Sequence, residues 1–482
     1  MTTEAAPVVP APRAFEAVPG PRGWPLLGVA PRLRREAFHR QLEGWARDYG
    51  DVFAFRLGKR RFLAVADPEV IASVLRRRPG AFRRGRRLEQ VSREMGFLGL
   101  FSANDETWRR QRPMVLHVLD PTHIRSYLPA MLDILARLKR RWQDAAAQGR
   151  EIDLSADLMR YTVDVTTCLA FGHNLNTLEA SAETAIQQHL NVILPALFKR
   201  LLAPFALPAW LRDKSLDHHV LALRAAVREF IAQTRSQLAE RPELRQHPEN
   251  LIQALLAAAE DGHQGITDED VSGNVLTMLL AGEDTTAHTL AWLIWLLHRN
   301  PEAAAQARRE VDAVLAPGGL VRSTEELARL DILDACANEA MRLKPVAPVI
   351  MNEAGEDVVV AGVLVPRGTI VACVMRPGGV DAGRFPQPDQ FDPARWSTGT
   401  GTGGKSLSAA KRAVMPFGAG PRMCPGRYLA MAEIKMVAAM LLANFELVAV
   451  ATPGRAEPEE RLTLTMAPVG LKMRLRPRPD AS

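Results

Sequence analysis

One cysteine of four stands where a thiol could work. Cys424 lies within MPFGAGPRMCPGRYLAMAEIKMVAAMLL (415–442), immediately before a strong helical pattern, and Pro425 suits a first helical position. A thiolate there would face the positive end of a helix and its free amides, which lower its pKa and strengthen it as a ligand. Gly418 and Gly420 permit a tight bend beneath it, Phe417 can shield the sulfur, and Arg422 projects nearby. Such a cysteine serves as a ligand or a nucleophile, although no histidine is supplied locally as its base. Cys168, Cys336 and Cys373 lie in apolar helical or strand-like context and read as inert packing residues.

Other groups share this readiness. The strongest apolar run, 271–297, carries Glu283 and Asp284 at its centre. Charges there would be costly in lipid, so the run reads as a long helix through a protein core. Thr285 can turn its hydroxyl to the carbonyl four residues back and loosen that helix. Trp108 and Arg112 are four apart and share a helical face, where arginine offers a fork to a carboxylate. Pro113, directly after, disturbs the local geometry. Glu339 and Arg342, three apart, also share a face. GTGTGGKS (399–406) matches a phosphate-loop pattern, but neither a strand before it nor a convincing helix after it is supplied. A Gly/Thr surface loop is the better reading.

Helical periodicity positions these groups. Helices are expected over 67–77, 103–112, 123–147, 154–172, 179–201, 215–240, 249–260, 267–299, 301–315 and 331–343. Asp67 before Pro68 is a cap with proline at the first helical position, and Thr267 with Asp270 forms a capping-box pattern. Strand-like runs are few: 51–58, 61–66, 357–375 and 462–466. The chain's 482 residues suggest about three domains on length alone. The pattern argues instead for one large, mainly α domain with a small β-sheet region.

Composition is that of a globular protein, 47% hydrophobic and 24% charged. Four scattered cysteines make no disulfide framework, which suits a reduced, intracellular protein. The net charge is +7, and residues 76–112 alone, with 11 Arg against four acids, carry the same excess. No nucleic-acid motif accompanies these arginines, so nucleic acid is not an expected partner. The Pro-rich N-terminus, with Glu4 and no apolar core, is not a secretory signal.

Phe417 to Gly426 has the pattern F-G-x-G-x-R-x-C-x-G, which resembles the cysteine-ligand signature of the cytochrome P-450 family. AGEDTT (281–286) resembles its oxygen-activation segment, EAMR (339–342) its E-x-x-R element, and WRRQR (108–112) its W-x-x-x-R helix. PGPRGWPLLG (19–28) and FPQPDQFDPARW (385–396) extend the resemblance over roughly 19–476. It implies a cytochrome P-450 fold: a single helical haem domain over 19–476, with a mobile leader at 1–18 and a tail at 477–482. It implies haem b held by Cys424 as axial thiolate, with Trp108, Arg112 and Arg422 at the propionates and Phe417 and Gly426 around the ligand. Asp284 and Thr285 would form an acid–alcohol pair that delivers protons during oxygen activation, with small Ala281 and Gly282 leaving room for O2 and Glu283 a spectator. Intact, that pair favours an O2-dependent monooxygenase over a haem-thiolate isomerase or peroxygenase. Glu339, Arg342 and Arg395 would form a structural charge network, leaner here because Ala394 stands where relatives carry an acid.

The resemblance places Ala281, Val349, Ile350 and parts of 88–101 and 190–210 around a substrate. These segments are largely apolar, so a fatty acid, terpenoid, steroid or polyketide is expected. The arginines at 83–87 read as a solvated loop, with binding of a substrate carboxylate as the alternative. No flavin or nicotinamide domain fits in the remaining residues, so a ferredoxin or flavodoxin with its reductase is the expected electron donor. Arg109, Arg110, Lys411, Arg412, Arg427 and Lys435 would give it a basic face. With no membrane anchor, a soluble, cytoplasmic, bacterial-type monomer is expected.

Overall fold

A computed structural model describes residues 11–172, 175–179, 188–189, 192–193, 196–197, 199–200, 214–260, 265–316, 318–397 and 412–479. The phosphate-loop match at 399–406, Lys411 and most of 190–210 lie outside them.

The chain folds as a helical body with a small sheet to one side. Its axis is the central helix, Asp268–Arg299, opened by the Thr267–Asp270 capping box. Thr267 Oγ1 accepts from the Asp270 amide, and the Asp270 carboxylate accepts from the Thr267 amide. Nearly every residue of this helix from Ala287 to Leu297 is buried, which explains an apolar run that needs no lipid. Against it pack the helices Leu154–Phe171, Asp331–Leu343 and the cysteine helix, Arg427–Asn444. Gly282 allows the first of these contacts: a Cβ there would sit 2.8 Å from Thr166 Oγ1. Its small size thus serves the packing of these two helices. Among the described residues, no helix is long and apolar enough to cross a membrane.

The main sheet has five strands in the order Val52–Leu57, Arg60–Val65, Ile370–Val374, Val349–Ala354 and Phe82–Arg83. Only the pairing of Arg60–Val65 with Ile370–Val374 is parallel, with Val65 opposite Cys373. The expected run at 357–375 divides into three strands, because Ala361 and Gly362 both take positive φ and fold Val358–Val360 back on Val363–Val365. The run 462–466 is largely the turn between Glu459–Leu462 and Met466–Val469. The helices Phe38–Tyr49 and Arg86–Glu94 were not expected.

Part of the expected leader is docked. Arg13–Ala14 pairs in parallel with Val363–Leu364, and Phe15 is buried. At the other end, Arg478 reaches Asp312 at 2.8 Å, so the fold holds the chain beyond 476.

Candidate functional site

Cys424 sits in a tight loop between the short 3-10 turn Gly420–Arg422 and the cysteine helix. Gly418 and Gly420 adopt φ of +73° and +70°, a conformation costly for any side chain. At Gly420 space forbids one as well: a Cβ would lie 2.6 Å from Leu75 O and 2.7 Å from Arg76 Cα. The Cys424 amide donates to Phe417 O at 2.9 Å and closes the loop.

The helix begins at Arg427 with Gly426 as its cap, so Pro425 precedes it instead of occupying its first position. This changes the electrostatics expected at the sulfur. Burial raises the Cys424 thiol above its ordinary pKa, against the opposing pull of the Gly426 N–H, Arg112 and Arg427. The expected net lowering is thus absent from the protein alone.

Trp108 and Arg112 lie on the helix Asp105–Val118, which runs through Pro113 unbroken. Arg112 Nη2 donates to Met423 O at 2.7 Å, one residue from the cysteine. Arg422 stacks over the Trp108 ring at 4.7 Å and donates to Ala103 O at 2.8 Å. The structure brings these four expected residues together and adds two more. Arg78 donates to Leu75 O and Ala419 O, at 3.0 and 2.9 Å. Arg84 donates to Phe101 O at 3.0 Å and lies over its ring.

Burial first, with repulsion from neighbouring arginines of a cluster that includes Arg112, holds Arg78, Arg84 and Arg422 below the ordinary guanidinium range, Arg78 and Arg422 at about 10. Burial also lowers Arg112. Among the described residues no ion pair neutralises any of the four, whereas nearby Arg83 and Arg86 pair with Glu353. The buried Nε atoms of Arg112 and Arg422 have no hydrogen-bond partner. Four converging cations, two of them with orphaned donors, beside a half-buried thiol fit a ligand that carries carboxylates and takes a sulfur, as haem does.

Arg83 to Arg87 are thus not a solvated loop. They divide between a strand, the Glu353 pairs and the start of a helix. Their spacing carries no helical or strand signature, which is why sequence missed Arg84. Arg78 was hidden in the same run of arginines.

On the central helix, Thr285 Oγ1 donates to Ala281 O at 2.8 Å, the back-bond its type predicts. Ala281 is exposed, between buried Leu280 and half-buried Gly282. Asp284 is buried, and burial raises its carboxyl to about 6. Burial and the Asp284 charge push Glu283 up to about 8, and its Oε2 has no hydrogen-bond partner. Val349 and Ile350 open the strand Val349–Ala354, half-buried. Residues 96–101 rest on the central helix, with the Leu100 amide donating to Asn274 Oδ1 at 2.9 Å.

The charge network is full rather than lean. Glu339 and Arg342 are wholly buried. Glu339 Oε2 accepts from Arg342 Nε and Trp396 Nε1, each at 2.8 Å. Its Oε1 accepts from Arg342 Nη2 at 2.7 Å, the Asp392 amide at 2.9 Å and Arg395 Nε at 3.3 Å. Arg342 spends its remaining donors on Gly379 O, Pro388 O and Gln390 O. The Asp392 amide and Trp396 Nε1 complete the set of donors to Glu339, and Trp396 escaped sequence reasoning.

The expected basic face is thinner. Lys435 is buried, 4.0 Å from Asp334, because the cysteine helix is covered on most sides. Arg110 is held by both oxygens of Asp270, at 3.0 and 2.9 Å. Arg109, Arg412 and Arg427 remain at least partly exposed.

Known proteins resemble this chain. The family model described as Cytochrome P450 matches residues 18–474. Cytochrome P450 3A12 of Canis lupus familiaris is 26% identical over 448 residues, covering 89% of this chain and 85% of its own. The mitochondrial 25-hydroxyvitamin D-1 alpha hydroxylase of Rattus norvegicus is 27% identical, covering 88% and 86%. The crystal structure of the cytochrome P450DA heme domain has the same fold, with a TM-score of 0.80, 24% identity, and 96% and 98% of the two chains covered. The chain belongs to the cytochrome P450 family, the haem-thiolate monooxygenases.

Proposed function

We propose that this enzyme hydroxylates or epoxidises a lipophilic small molecule of the fatty acid, terpenoid, steroid or polyketide class. A separate ferredoxin or flavodoxin, with its reductase, supplies the electrons. The observation that carries the reading is the back-bonded Thr285 beside Asp284, on a helix that exposes Ala281 between apolar neighbours. A vitamin D derivative in the rat relative's name is consistent with a lipophilic substrate.

Cys424 would hold the haem iron, and Arg112, Arg422 and Trp108, joined by Arg78 and Arg84, would hold the propionates. Phe417 and Gly426 shape the ligand loop. The haem, when bound, supplies oxygen activation favoured by thiolate donation. The chain controls protons. With its carboxyl at about 6, Asp284 can release and regain a proton near neutral pH. Thr285 Oγ1 stands next along the helix, oriented by its bond to Ala281 O, and relays that proton toward the exposed face.

Thr285→Ala tests the relay. Haem and substrate binding should persist while product formed per NADPH consumed falls. Unchanged coupling refutes the role. Screening lipophiles by iron spin-state shift identifies the substrate, and failure of every class named above refutes the substrate reading. Reduction by an acidic ferredoxin should slow with added salt, through Arg109, Arg412 and Arg427. Rates insensitive to ionic strength refute that docking.

A further inference from the structure

The helix Asp105–Val118 carries Trp108 and Arg112, and the helix Pro121–Ala147 follows it after two residues. At this elbow three side chains that can ligate a metal converge. His117 lies in the last turn of the first helix, Asp120 caps the second, and His123 lies in its first turn. A ligand-capable atom of each lies within 4.8 Å of those of the other two. We propose that His117, Asp120 and His123 form a divalent transition-metal site, suited to Zn2+.

The donor set matches the ion. Two imidazoles and one carboxylate suit zinc, and solvent can complete four-coordination. The donors are also oriented in advance. Asp120 Oδ1 accepts from the amides of Thr122 and His123, at 2.8 and 2.9 Å, which fixes the carboxylate. His123 Nδ1 lies 3.0 Å from the same oxygen. With the proton on Nε2, Nδ1 is the ligand nitrogen, and it lies close enough to the carboxylate oxygen for both to meet one ion. The His117 and His123 rings meet edge to face, 4.8 Å apart. His117 is exposed and the other two half-buried, so an ion can enter from solvent. Bound there, it would brace the elbow.

The test uses the full-length haem-loaded protein, stripped with EDTA and dialysed against micromolar zinc. Elemental analysis should find one zinc per haem iron in the parent, and at least about tenfold less in His117→Ala and in His123→Ala. Asp120→Asn keeps a good helix cap but removes the charged ligand, and should weaken zinc binding at least about tenfold. Haem content should be unchanged in all three, and zinc should raise the melting temperature of the parent but not of His123→Ala. His219→Ala should retain zinc, because the separate contact of His219 with His189 is not the site. No retained zinc in the parent, or equal retention in His117→Ala and His123→Ala, overturns the proposal.

Discussion

Glu339→Gln should destabilise the fold out of proportion to one altered atom. The carboxylate takes five donors from Arg342, Arg395, Trp396 and the Asp392 amide. Glutamine keeps the shape but replaces one acceptor by an NH2. On the Oε2 side that opposes donor to donor at both Arg342 Nε and Trp396 Nε1. Arg342 then remains charged, fully buried and without a counter-ion. Breaking one partner of a buried pair costs about 3–5 kcal/mol. Unfolding a chain of this length releases an entropy of about 1 kcal/mol/K, so the melting temperature should fall by about 3–5 °C. Thermal unfolding, followed by circular dichroism and haem absorbance at fixed scan rate, measures it. The companion Glu339→Gln/Arg342→Met strands no charge and should recover part of the loss. A single variant within about 1 kcal/mol of the parent, or a double variant equal to the plain sum of its singles, would refute the reasoning.

Three further outcomes follow from the site. Glu283 holds a proton in the fold up to about pH 8, while the unfolded chain releases it near its ordinary 4.5. Stability should therefore fall as pH rises through that window, by at most about 1.4 kcal/mol per unit, and melting scans of Glu283→Gln should lose that slope; equal slopes contradict it. Arg112→Leu removes the donor to Met423 O and a cation from the propionate group, so haem affinity in a haem-transfer assay should drop about 10–100-fold. Gly420→Ala should destabilise the ligand loop by about 1–3 kcal/mol and reduce the fraction of reduced, carbon-monoxide-bound protein absorbing as haem-thiolate, since its Cβ would meet Leu75 O.

Periodicity made the helices legible. The caps at Asp67 and Thr267 lie where the local signals place them, and Asp331–Leu343 has the bounds expected of it. The cysteine loop was legible because glycines, cysteine and arginine are close in sequence. What escaped depends on distant chain. Trp396 reaches Glu339 across 57 residues. Arg376 joins Glu43 and Glu460, with His39 and Lys344 on the same Glu460, through contacts spanning up to 421 residues. No local pattern encodes such pairs. Lys435 misled for the opposite reason: its type suggests a surface, and only packing reveals a helix covered around it. The thiol's raised pKa likewise comes from burial, which spacing does not report.

The loop around Cys424 leans on the helix Pro68–Arg76 through Gly420, and Arg78 holds Ala419 O from 341 positions earlier in the chain. The two walls of this loop are therefore made far apart in synthesis. The early segment must wait while the 341 positions up to Ala419 are added, and contacts of such long range form slowly. Until they close, the thiol stands in water without its shelter. The cofactor pocket is thus among the last parts of the molecule to mature, and damage to residues 68–78 would be felt first as failure to acquire haem.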